Sequence, residues 1–195
     1  MAMPLRVPEY TIDMLATFPD DGCRYELLEG MLLVTPQASN AHQLIATQIA
    51  YLLRKALAPR GLARVVAPGA IQKGKRTELQ PDVLVYPAAF SGRAEWADIR
   101  GWWLAVEVIS RASRIYDRDF KRPAYLALGV AEYWLVDPRE RCVDIWTASS
   151  AVPHNVTDRI VWSPSALDQA VTLDIEEVFH QMPRRCVLDR RTDAF

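Results

Sequence analysis

Cysteine is scarce in this sequence: Cys23, Cys142 and Cys186 are the three in 195 residues, far apart and without CxxC spacing. That excludes a disulfide scaffold, speaks against structural zinc, and suits a reducing cytoplasm. No apolar run approaches the roughly 20 residues of a membrane helix, so no membrane partner is expected. The opening segment MAMPLRVPEY has one arginine but no apolar core, and no secretory signal is expected there. An excess of either charge is missing too. Lys and Arg number 23 against 24 Asp and Glu, a formal net charge of -1, which at first sight argues against nucleic acid as a partner. No Gly-rich phosphate loop, zinc motif or internal repeat occurs.

What is present fits one soluble domain over residues 1–195, with a core over about 10–180 and a charged tail at 183–195. Half the residues are hydrophobic and 24% are charged, enough to bury a core and too apolar for extended disorder.

Thr11 is placed to cap a short helix through about Phe18, closed by Pro19 and the turn residues Asp20-Asp21-Gly22. Residues 25–35 read as two strands broken at Glu29-Gly30, a hairpin. Ser39 or Asn40 then caps a helix whose Leu44/Ile45, Ile49, Leu52/Leu53 and Ala56/Leu57 recur at helical spacing until Pro59 and Gly61 stop it. Strands are predicted at 63–67, 70–72 and 79–86. WWLAVEVI (102–109) is apolar but for one glutamate, as a central strand buried on both faces would be. A helix is predicted over 117–128, with Gly129 as its stop. Strands at 132–137, 142–147, near 159–163 and near 170–174, with a short helix near 175–181, complete one α/β domain with a mixed sheet flanked by helices.

Glu107 is the most informative residue. A carboxylate inside an apolar strand costs several kcal/mol if buried without a partner, so it needs a cation, a metal or a proton. A nearby arginine is one answer. Asp82, behind Pro81 in LQPDVLVY, offers another: if 79–86 and 102–109 are adjacent strands, Asp82 and Glu107 converge, and two convergent carboxylates repel unless a divalent ion lies between them. Mg²⁺ favours such hard oxygen donors and keeps waters that can be activated. The alternative for Asp82 is a bulge or a turn cap. Asp117, Lys121 and Tyr125 follow at i, i+4, i+8 on the predicted helix, with Lys121 free to reach a carboxylate pair or to form a surface pair with Asp117.

Taken in order, RYELLEG (24–30), SNAHQ (39–43), QPDVLV (80–85), LAVEVIS (104–110), Ser113, then Asp117, Lys121 and Tyr125, and GVAEYWLVDP (129–138) resemble the PD-(D/E)XK nuclease superfamily. Within it the chain is similar to the bacterial restriction-endonuclease-like family known as Uma-two, over roughly residues 10–180. The resemblance implies a restriction-endonuclease-like core and a Mg²⁺- or Mn²⁺-dependent endonuclease acting on DNA. It implies Asp82 and Glu107 as metal ligands with the Val108 backbone carbonyl as a third oxygen, and Lys121 as the catalytic lysine. The superfamily's usual lysine position, two after the glutamate, holds Ile109 here. Glu26 resembles the family's amino-terminal acidic residue, with Glu29 as rival; Gln80 stands at the rim of the site, and Asp117 and Tyr125 support it.

His42, beside the helix start, is placed to contact phosphate or a site residue, but a capping or packing role is the preferred reading. Ser110 and Ser113 lack a nucleophile elbow, and Tyr133-Trp134, Trp102 and Trp103 read as core or interface aromatics. A homodimer is expected, because cutting both strands pairs two sites across a twofold axis. The alternative function is a catalytically inactive nucleic-acid-binding or dimeric interaction module on the same fold.

The neutral total charge hides segregation. Residues 54–76 hold seven Lys/Arg and no acid, and residues 111–122 hold five Lys/Arg against two Asp. Any DNA-facing basic surface is therefore expected to be local.

Overall fold

The structure, a computed structural model, describes residues 9–92, 95–110 and 116–182, without the side chains of 116–118. Chain order runs α1 (Ile12–Leu15), β1 (Arg24–Leu28), β2 (Met31–Thr35), α2 (Asn40–Leu57), β3 (Ala63–Val66), β4 (Ile71–Lys73), β5 (Thr77–Leu79), β6 (Val83–Pro87) and β7 (Leu104–Val108). After a π turn at Tyr116–Lys121 come α3 (Arg122–Leu128), β8 (Glu132–Asp137), β9 (Cys142–Thr147), β10 (His154–Val156), β11 (Arg159–Trp162), β12 (Val171–Asp174) and α4 (Ile175–Val178).

A six-stranded sheet ordered β10-β9-β8-β7-β6-β3 forms the centre. Its β7–β8 pair is parallel and its other pairs antiparallel, so the sheet is mixed. All five residues of β7 are buried, as expected of a strand covered on both faces. Strand alternation sorts those faces. Leu104, Val106 and Val108 pack with Ile45, Ile49 and Leu53 of α2, while Ala105 and Ile109 pack on the opposite side with Tyr125 of α3. Glu107 shares the second side. A smaller antiparallel sheet, β2-β1-β5-β4, adds Leu33, Ile71 and Leu79 to that same cluster.

The predicted strand 79–86 is in fact two. Pro81 cannot donate to a ladder, and the chain breaks at Gln80–Asp82: β5 belongs to the small sheet and β6 to the large one. The QPD segment thus crosses between the sheets. Gly69 braces the crossing, since its N–H donates to the Pro81 carbonyl at 3.1 Å. A Cβ on Gly69 would fall 2.6 Å from Leu84 Cβ, so only glycine allows this approach.

Two further departures concern helices. The helix predicted over 117–128 is α-helical only from Arg122, and its first part is wound as a π turn ending at Lys121. In α1, Thr11 sits at the N-cap without a side-chain cap bond. Ser39 caps α2, its Oγ accepting from the His42 N–H at 3.2 Å. Glu29, the last residue before Gly30, takes φ 52° in the β1–β2 turn, as the hairpin break expected at Glu29-Gly30 anticipates. Tyr133, Trp134 and Trp102 are all buried, which makes them core aromatics. No helix among the described residues is long and apolar enough to cross a membrane.

Candidate active site

The site lies where β1, the QPD crossing, β7 and α3 meet. β6 and β7 pair with Val83 opposite Val106, so the register carries Asp82 across from Glu107. Both carboxylates are buried, at 4% and 2% exposure. From β1, Glu26 reaches the same place with no exposure at all. Its Oε1 accepts the Gln80 backbone N–H at 2.7 Å, which ties β1 to the crossing.

Lys121 closes the group. Its Nζ stands 2.6 Å from Glu26 Oε2 and 3.2 Å from Glu107 Oε1, with the lysine side chain 2% exposed. A buried ammonium held between two carboxylates is tolerable, because its charge has opposite partners within hydrogen-bond reach. Tyr125, one turn further on, donates its hydroxyl to Glu107 Oε1 at 2.8 Å. Burial pushes the Tyr125 hydroxyl well above its ordinary pKa of 10, and the charges of Glu107 and Glu26 add to that, so it stays a donor.

Asp82 has its own set of partners. Arg24 Nη1 lies 3.0 Å from Oδ1; His42 Nε2 lies 3.0 Å from Oδ2; the Val108 N–H donates to Oδ2 at 2.8 Å. The His42 contact has ion-pair distance but poor hydrogen-bond alignment, leaving both ring nitrogens buried without a well-aligned partner. Burial alone would raise the Asp82 pKa. The contacts of His42, Arg24 and the Val108 amide outweigh it and hold the carboxyl down at about 2. Burial likewise opposes the charge on Arg24, yet Asp82, Glu107 and Glu26 together raise its pKa.

Of the residues named from sequence, the structure therefore brings together Asp82, Glu107, Lys121, Glu26, Tyr125 and the backbone of Val108. Gln80 contributes its main chain to Glu26, and its side chain donates to Glu78 at 3.0 Å. The side chain of Asp117 and all of Ser113 lie outside the described residues. Ile109, at the superfamily's usual lysine position, packs in the apolar cluster beside Tyr125.

Arg24 is not anticipated in the site, and His42 is anticipated there only as the less favoured reading, though signals for both exist in the sequence. Arg24 precedes Glu26 by two, which on a strand puts both on one face. His42 heads the α2 stripe that continues through Ile45, Ile49 and Leu53, all buried, so it occupies a core position at the helix start. Capping falls to Ser39, and the imidazole turns to Asp82.

The donor chemistry suits a hard divalent cation: two carboxylates plus the Val108 carbonyl, which in extended backbone faces the same side as the Val108 N–H bound to Asp82. Among the described residues no three Asp, Glu, His or Cys side chains cluster as a metal cage. Mg²⁺ does not need one, because it binds through one or two carboxylates and fills its shell with water and phosphate.

The basic stretch 54–76 is spread over several elements. Arg54 and Lys55 end α2, Arg64 is on β3, and Lys73, Lys75 and Arg76 belong to the β4–β5 hairpin, where Arg76 pairs with Glu9 at 2.7 Å. Arg111 and Arg114 lie outside the described residues.

A mixed sheet flanked by helices is the architecture this chain shares with nuclease-like folds. A family model described as "Uma2: Putative restriction endonuclease" matches residues 8–180, and the chain belongs to that family. It is also similar in fold to the crystal structure of a "putative nuclease belonging to DUF820" from Anabaena variabilis. The TM-score is 0.64 at 19% identity, over 88% of this chain and 98% of that one. No curated protein matches the chain.

Proposed function

We propose that this protein is a Mg²⁺- or Mn²⁺-dependent endonuclease that hydrolyses DNA phosphodiester bonds. The observation that carries the reading is the β6–β7 register that sets Asp82, just before β6, across from Glu107, with Lys121 2.6 Å from Glu26 and 3.2 Å from Glu107. Asp82, Glu107 and the Val108 carbonyl would hold the cation. When bound, it supplies charge neutralisation at phosphate and a water of lowered pKa.

The chain's own groups do the rest. Lys121 presents an ammionium donor beside Glu107, where it orients water or a phosphate oxygen. Glu26 holds that ammonium in place, and Tyr125 fixes the rotamer of Glu107 through its hydroxyl. Gln80 holds Glu26 through its main chain, so Gln80 and Tyr125 are positioning residues. The single 1–195 domain, the cytoplasmic setting and a homodimer belong to the same proposal; light scattering that finds only monomer at micromolar concentration would remove the dimer.

A second reading, a non-catalytic nucleic-acid-binding or dimeric module, draws on one observation: Asp82, Glu107 and Glu26 are each already engaged by protein groups. Plasmid cleavage with Mg²⁺ or Mn²⁺ separates the two. Loss of supercoiled plasmid with wild type, absent with Asp82→Ala, supports the nuclease. Equal inertness of both proteins, with no Glu107-dependent cation binding by calorimetry, supports the module.

A further inference from the structure

A cavity of about 290 Å³ opens beside the carboxylate cluster, between the start of β1 and the start of α2. Arg24, His42, Gln80 and Ser110 line it, and no Asp or Glu does so among the described residues. A larger cavity, about 480 Å³, lies along α2 against Gln181 and has no charged side chain in its lining, so the smaller one is where the chemistry gathers.

Three features give the smaller cavity hydrogen-bond donors for an anion. Arg24 Nη1 is used twice, on Asp82 Oδ1 at 3.0 Å and on the Gln80 carbonyl at 3.1 Å, which fixes the guanidinium plane. Its Nε and Nη2 have no partner among the described residues. His42 has a side chain 9% exposed and an Nδ1 that is buried without a partner. Finally, Ala38, His42 and Gln43 bring the N-terminus of an 18-residue helix to the cavity, and its first turn carries no acid to offset the dipole. A fixed guanidinium fork, a buried imidazole nitrogen and a helix N-terminus are together suited to a tetrahedral oxyanion.

We infer that this cavity is a subsite for a backbone phosphate of the nucleic-acid strand, with Arg24 as its charged contact and His42 as its second donor. The inference rests on the nuclease reading for the identity of the phosphate. In it Arg24 has two duties, orienting Asp82 through Nη1 and binding phosphate through its remaining N–H groups. His42 likewise has two duties: Nε2 faces Asp82, and Nδ1, buried and without a partner, becomes the phosphate's second donor once the ring adjusts to the bound anion.

The test is DNA binding by the full chain in EDTA, where cleavage cannot intervene, followed by fluorescence anisotropy of a short duplex across a salt series. Arg24→Gln is expected to weaken binding about tenfold at low salt and to reduce the slope of log K against log[salt] by about 0.9, one phosphate contact. Arg24→Lys keeps the charge and is expected to keep the slope. His42→Gln is expected to weaken binding with the slope unchanged. Circular dichroism of each variant accompanies the titrations, and Arg24→Lys and His42→Gln serve if Arg24→Gln does not fold. Wild-type affinity and slope in Arg24→Gln, with its cleavage reduced, would show that Arg24 serves Asp82 only and would overturn the inference while leaving the nuclease. An Arg24-dependent slope in a wild type that cleaves nothing would keep the subsite and remove the nuclease. No DNA binding by the wild type would overturn the inference outright.

Discussion

The Lys121 ammonium lies 2.6 Å from the Glu26 carboxylate, with both side chains essentially removed from solvent. This pair joins the first strand to the start of α3 and sets Lys121 against Glu107. Breaking a buried pair by removing one partner costs about 3–5 kcal/mol, because the charge left behind has lost its match. Lys121→Met is therefore expected to lower stability by that order and to abolish cleavage. Glu26→Gln, which keeps the shape, is expected to lower cleavage with a smaller stability loss. Urea denaturation and plasmid cleavage check both; a Lys121→Met protein as stable as wild type would contradict the pairing.

Asp82→Asn and Glu107→Gln remove charge where the cation is proposed to bind. Several kcal/mol of lost charge stabilisation corresponds to about a thousandfold or more in rate. Each variant is expected to show cleavage reduced by that factor and weaker Mn²⁺ binding in calorimetry. Cleavage within tenfold of wild type in either variant would remove that residue from the ligand set.

Tyr125→Phe leaves Glu107 short of a buried hydrogen bond. The expected loss is about 1–3 kcal/mol in stability. Because the ring stacks on Tyr133 with centroids 5.4 Å apart, and Phe keeps that contact, packing should be preserved. Denaturant midpoints check the loss, and no change in midpoint would show that the hydroxyl is dispensable.

Acid stability follows from Asp82. Its folded pKa, about 2, is below the ordinary 3.8, so the ionised form stabilises the fold. That contribution is complete above about pH 4 and is lost as pH falls toward 2, about 2 kcal/mol in all at 1.36 kcal/mol per unit. Stability of the wild type relative to Asp82→Asn is expected to shrink over that window. A constant difference between about pH 5 and pH 2 would refute the assignment.

Gly69→Ala puts a methyl 2.6 Å from Leu84 Cβ, an atom tied to the β6 backbone that cannot swing aside. Overpacking of this kind costs about 1–3 kcal/mol. Since Gly69 also holds Pro81, cleavage is expected to fall more than for a stability-matched variant elsewhere. Thermal melts paired with cleavage assays check this.

Much of the site is legible along the chain. Glu107 stands out as a lone charge in an apolar strand, and Pro81 announces a break that Asp82 exploits. Glu26 is preferred over Glu29 because Gly30 marks a turn. Less legible are Arg24 and His42. Each has a period that places it on an inward face, but periodicity gives the face and not the neighbour found there. The π winding before α3 has no local signature in residues 116–121, and the single strand expected over 79–86 hides the change of sheet.

By itself, the sequence determined most of the elements, the mixed α/β class and the acidic residues with a reason to be buried, since hydrophobic period, turn residues and the cost of an isolated charge are local properties. Tertiary structure alone decided which charges answer each other. Lys121 faces Glu26, and Asp82 faces Arg24 and His42, because the QPD segment passes between two sheets and carries β1 against β7. Such pairings depend on distances of a few ångströms between segments remote in sequence, and Coulomb energy in a dry interior is set by those distances rather than by order along the chain.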